Sequence, residues 1–117
     1  MKRLLFAACA AQALLLASVA AAHAFLDRAS PPVGSTVRDS PPEVKLRFTQ
    51  ELEPAFSTLT VQDASGKRVD KGDARIAADT MQVSLPPLEP GRYKVTWRAL
   101  SVDTHVTEGD FTFEVAR

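Results

Sequence analysis

The stretch Gly91-Arg92-Tyr93-Lys94-Val95-Thr96-Trp97-Arg98-Ala99 decides the fold. Tyr93, Val95, Trp97 and Ala99 fall at every second position, with cations and a threonine between them. A period of two belongs to a strand with one buried face, because successive side chains leave a strand on opposite sides; a helix would repeat its apolar residues every three to four positions. The alternation recurs on both sides of this stretch. Phe111, Phe113 and Val115 follow it, and Met81, Val83 and Leu85 precede it. Further back, Leu59 and Val61 alternate with Thr58 and Thr60, and Val44-Lys45-Leu46-Arg47-Phe48 alternates with two cations. Trp97 and the phenylalanines read as core by this period. The breaks are Pro31-Pro32-Val33-Gly34, Pro41-Pro42, Ala64-Ser65-Gly66-Lys67 and Pro86-Pro87-Leu88-Glu89-Pro90-Gly91. Proline cannot donate to a ladder, so these positions end strands. A first strand near Phe25–Ala29 and a weak one around Val69 or Ile76 bring the count to about seven, the pattern of an all-β, Ig-like sandwich. Leu88-x-Pro90-Gly91-x-Tyr93 has the form of a tyrosine corner.

The other end of the chain is unlike this. Residues 1–22 carry two charges, Lys2 and Arg3, no acid and no proline. A basic start, an apolar run from Leu4 to Leu16 and Ala20-Ala21-Ala22 together read as a cleaved export signal. Gln12, Ser18 and the many alanines make the run a poor anchor. A rival cut after Ala24 also fits the small-x-small rule and would start the mature chain at Phe25. Cys9 has only eight residues before it, too few for a lipoprotein signal. The expected domain, 23–117, therefore has no thiol and no disulfide, and packing alone must hold it. Its net charge is −2. That gives no basic footprint for nucleic acid, and its length excludes a multidomain enzyme.

Only His23 and His105 remain as histidines in that domain. Cleavage after Ala22 would make His23 the terminal residue, whose α-amine and imidazole Nδ1 can chelate one ion. In extended chain, Asp103 and His105 would point the same way. Amine, imidazole, carboxylate and imidazole make a four-donor N/O set that suits Cu(II), with Zn(II) lower in the affinity order. Cu(I) prefers soft ligands, and Met81 alone would remain after export. Asp-x-His by itself reads more simply as a solvated loop acid beside a hydrogen-bonded histidine. Glu51-Leu52-Glu53 reads as a solvated turn before Pro54.

Several of these features come in the order seen in the CopC family of periplasmic copper-resistance proteins. His23 precedes Pro31 and Gly34 as a mature start precedes that family's Pro-x-x-Gly turn. Leu46-Arg47-Phe48-Thr49-Gln50 and Ala55-Phe56-Ser57 resemble its second strand and following turn. The stretch 91–105 is similar to its G-x-Y-x-V-x-W-R-x-x-S-x-D-x-H block. The resemblance covers essentially all of residues 23–117. It implies a Greek-key, cupredoxin-like sandwich in the periplasm with one Cu(II) per chain on His23, Asp103 and His105. Where some members carry a Glu, this chain has Gln50, with Glu51 out of register. The Met/His-rich Cu(I) loop is absent, and Val106 replaces a common proline. A CopD-type inner-membrane copper transporter is the implied partner.

The expected protein is thus a soluble, monomeric Cu(II) carrier that is not an enzyme and not inserted in the membrane after cleavage. Two other classes compete. A histidine-brace copper oxygenase would need an open coordination position, which Asp103 would fill. A metal-free Ig-like interaction module would need an exposed edge or apolar patch.

Overall fold

The computed structural model describes residues 26–117. The export signal, Cys9, His23 and both cleavage bonds lie outside the described residues. Eight strands form two four-stranded sheets. They are β1 (Leu26–Ser30), β2 (Thr36–Val37), β3 (Glu43–Phe48), β4 (Thr58–Asp63), β5 (Arg75–Ala77), β6 (Thr80–Ser84), β7 (Gly91–Leu100) and β8 (Val106–Val115). A short 3-10 turn, Pro54–Phe56, precedes β4. The first sheet has the order β1-β3-β6-β5 and the second β2-β8-β7-β4. Strand β3 pairs with β6 and β4 with β7, and the chain changes sheet at β1–β2, β2–β3, β3–β4, β4–β5 and β6–β7. Those crossings are the Greek-key connections of an Ig-like sandwich.

The alternating residues meet between the sheets. Val44, Leu46, Phe48, Leu59, Val61, Met81, Val83, Val95, Phe113 and Val115 are all buried. Tyr93 stacks on Phe113 at 5.6 Å, and its hydroxyl donates to the Glu89 carbonyl at 2.5 Å, closing the tyrosine corner.

Some expectations need correcting. The strand count is eight because Thr36–Val37 adds a short parallel partner to the end of β8. Ile76 lies in β5, whereas Val69 belongs to no strand and instead donates to the Val61 carbonyl along the edge of β4. Strand β8 starts at Val106, well before Phe111, and its apolar period is interrupted at Gly109. Gly109 pairs with Trp97, and a Cβ placed there would meet the Trp97 ring, 2.5 Å from Cζ2. The indole takes the space a side chain would have used. Trp97 is only half-buried, at the rim against Phe48 and Phe111, and its Nε1 has no partner among the described residues. Phe56 is 61% exposed, because it sits in the 3-10 turn and not on a strand's inner face.

Candidate metal centre

Strands β7 and β8 form a hairpin of ten paired positions that ends at Leu100 and Val106. Residues 101–105 must reverse the chain, and they do so as a tight turn, not as extended strand. Ser101 N–H donates to the His105 carbonyl at 3.0 Å, and Thr104 N–H to the Ser101 carbonyl at 2.9 Å. Thr104 takes φ of 73°, the left-handed conformation that such a reversal requires. The expectation that Asp103 and His105 would point together along a strand is therefore replaced by a different cause. The turn folds the two side chains onto each other, and Asp103 Oδ2 lies 3.1 Å from His105 Nδ1.

The turn is anchored from below. Ser101 has no exposed surface, and its hydroxyl donates to Asp103 Oδ1 while accepting from His105 N–H at 3.2 Å. The segment after β3 braces it from the side: Leu52 bridges Ser101, Val102 N–H donates to the Glu51 carbonyl, and Glu53 N–H to the Leu100 carbonyl. Leu52 is buried, so Glu51-Leu52-Glu53 is a pinned strand-like segment and not a wholly solvated turn. From this segment Gln50, its amide nitrogen turned toward Asp103, donates to both carboxylate oxygens at 2.8 and 3.0 Å. The Ser101 hydroxyl first, and His105 after it, hold the Asp103 carboxyl below the ordinary carboxylate range.

Chemically the turn offers a charged carboxylate and an imidazole, with Asp103 44% and His105 77% exposed. Two donors on one ion, each about 2.0 Å from it and at right angles, lie about 2.8 Å apart. The Asp103–His105 spacing is close to that, so a single ion between them would draw on both with little movement. Among the described residues no group of three or more His, Cys, Asp or Glu could hold a metal ion. Asp103 and His105 are brought together; His23 lies outside the described residues. Ser101 and Gln50, the two groups that fix Asp103, carry no donor pattern of their own in the sequence. The Ser-x-Asp-x-His spacing hinted at the first, and the family resemblance placed the second where some members carry a Glu.

Glu51 and Gln50 are thus placed differently: Gln50 is a donor to Asp103, and Glu51 contributes its backbone carbonyl. No helix of the described residues is long and apolar enough to cross a membrane.

Comparison with known proteins bears on the whole described domain. Residues 26–116 match the family model described as the CopC domain. The chain is 31% identical over 114 residues to copper resistance protein C of Pseudomonas syringae pv. tomato, covering 90% of each. It is 27% identical over 100 residues to the copper transport protein CutJ of Bacillus subtilis, but spans only 18% of that protein's length. Among solved structures, CopC from Methylosinus trichosporium OB3b superposes with a TM-score of 0.69 at 40% identity, over 79% of this chain and 92% of that one. PcoC, a methionine-rich copper resistance protein from Escherichia coli, gives 0.68 at 31%, over 78% and 96%. The family model spans nearly all of the described residues, and relatives and structures above 30% identity cover most of the chain: this chain belongs to the CopC family.

Proposed function

We propose that this chain is exported to the periplasm, cleaved after Ala22, and carries or sequesters one Cu(II) ion in copper resistance or homeostasis. The ion is held by the α-amine and imidazole of His23 together with Asp103 and His105. The observation that carries this reading is the exposed Asp103–His105 pair on a turn anchored by a buried serine. Its position relative to the chain's beginning supports it. Leu26 opens β1 opposite Phe48, two residues before Gln50, whose amide meets Asp103. The three residues from His23 to Leu26 reach about 10 Å when extended. A terminal amine created by cleavage would have that length of chain with which to reach the turn from the start of β1. Four N/O donors in a tetragonal set favour Cu(II) over Zn(II). With Asp103 in the fourth place no equatorial position is open to oxygen, so the reading is of a carrier and not of an oxygenase. The relatives named for copper resistance and copper transport point the same way. Delivery to a CopD-type inner-membrane transporter, by a monomer, completes the proposal.

Intact mass of the exported protein, with and without Cu(II), tests it. The expected species begins at His23 and gains one copper. A chain beginning at Phe25 would overturn the site, as would undiminished Cu(II) affinity in a variant with one extra residue before His23.

A further inference from the structure

The two sheets differ in how their outer faces are charged. On the second sheet Arg92 stands opposite Glu114, Arg98 opposite Glu108 and Thr96 opposite Asp110, with Lys94 between them. Three cations thus meet three acids, and Arg98 Nε is bonded to Glu108 at 3.1 Å. The first sheet has no such balance. Arg28 stands opposite Arg47, Ser30 opposite Lys45, and Lys45 and Arg75 flank Gln82. Directly paired residues of antiparallel strands share a face, so the four cations form one tile. Asp79 lies at its margin, 3.4 Å from Arg47, Glu43 is at the far end of β3 beside Ser84, and Asp27 sits in the bulge of β1 before Arg28. Among the described residues Arg28, Lys45 and Arg75 have no salt bridge. Like charges directly opposite each other destabilise a sheet, so the Arg28–Arg47 pairing works against folding. It also occurs in a domain whose net charge is −2, and so does not follow from a general excess of cations.

The tile is shallow and polar. Arg28, Ser30, Lys45, Arg47, Asp79 and Thr80 line a depression of about 320 Å³. The hydroxyls of Ser30 and Thr80 and the amide of Gln82 add neutral donors between the charges. None of the exposed large apolar residues, Val33, Phe56, Val102 and Val106, belongs to it. Protein interfaces are built around buried aromatic and aliphatic anchors, and this face has none. A layer of phosphodiester headgroups requires only cations and hydrogen-bond donors on a flat face.

We propose that the outer face of the first sheet, centred on Arg28, Lys45, Arg47 and Arg75, docks this domain reversibly on an anionic phospholipid surface. This rests on the charge pattern and not on the copper reading. The contact leaves the Asp103–His105 turn free, because that turn joins β7 and β8 of the other sheet.

Vesicle co-sedimentation of the processed protein tests it, with phosphatidylcholine alone and with phosphatidylglycerol added. Binding is expected only to the vesicles with phosphatidylglycerol and is expected to weaken as salt rises, since exposed charges are screened within about 10 Å. The double variant K45Q/R75Q, which breaks no salt bridge, should lose roughly 30-fold in partition, about fivefold per charge. The variant R92Q/K94Q removes the same charge from the other sheet and should bind as the parent does. Arg28→Gln alone, which also relieves the facing arginines, should weaken partition without lowering thermal stability, and so separates binding from folding. Equal loss in R92Q/K94Q would overturn the proposal by reducing it to net charge. So would binding to inorganic phosphate or to polyglutamate with none to vesicles, which would identify a small anion or an acidic protein instead.

Discussion

Ser101 shows how much of this site depends on a residue that cannot itself hold copper. Its hydroxyl donates to Asp103, and it is the first of the causes that keep that carboxyl ionised to lower pH. In Ser101→Ala the Asp103 pKa should rise toward the ordinary carboxylate range, measurable by NMR titration of the side-chain carboxyl; an unmoved value would remove Ser101 from the site. Gly109 is a second position where one atom decides. Adding a Cβ there drives into the Trp97 ring, and Gly109→Ala should cost about 1–3 kcal/mol in chemical denaturation. The cost should shrink when Trp97 is also shortened to Phe, because the two changes act on one contact. At this scale the sequence was partly legible. His105 stood out because only two histidines follow residue 22, and Asp103 because it lies two residues before it. Gln50 was singled out by the resemblance alone, because its contact with Asp103 is made through space by a segment 53 positions away. Phe56 misled, since its type suggested burial while its place, in a 3-10 turn, put it outside.

The elements are held by polar contacts that the period of two does not announce. Strand β4 is an edge, and the segment after it covers that edge: Val69 N–H donates to the Val61 carbonyl and Asp70 accepts from Val61 N–H at 2.8 Å. Asp70 also accepts from Gly72 N–H and pairs with Arg68 at 2.9 Å, while its own side chain is fully covered. Burial by itself would raise its pKa, but the Arg68 guanidinium and the two amides outweigh it, and the net direction is down. A carboxyl depressed on folding stabilises the fold above the ordinary carboxylate range and loses that contribution as pH falls through its folded value. Asp70→Ala should therefore cost on the order of 2 kcal/mol near neutral pH, in part by orphaning the Val61 N–H, and the gap to the parent should close in acid. Urea midpoints measured across pH decide it; a gap independent of pH would mean that the ionised form contributes nothing. The tyrosine corner, by contrast, was readable in advance, since Leu-x-Pro-Gly-x-Tyr sets both the loop and the phenol that ties it. Val69 was ambiguous for a physical reason: it lies along a strand and bonds to it without joining a ladder of its own.

On the scale of the molecule, the proposed ligands come from opposite layers. Strand β1, which His23 precedes, belongs to the first sheet, and the turn bearing Asp103 and His105 belongs to the second. A single ion shared between them would cross-link the layers of a domain that has no cysteine among its described residues and relies on packing alone. The alternating core made the sandwich legible from sequence, whereas a link between layers is invisible to any local pattern, because its parts are some 80 residues apart. Binding to the folded state alone stabilises it by mass action, about 2.7 kcal/mol when free ligand is at 100 times its dissociation constant. For a domain of this size that is a rise of roughly 10 °C or more in melting temperature. Calorimetry should show that rise on adding Cu(II) to the processed chain, and His105→Ala should abolish most of it. An extra residue before His23 should do the same while leaving the metal-free melting temperature unchanged, since every described strand begins at Leu26 or later. If both altered chains were stabilised as strongly as the parent, copper would be bound elsewhere, and the two sheets would owe nothing to the metal.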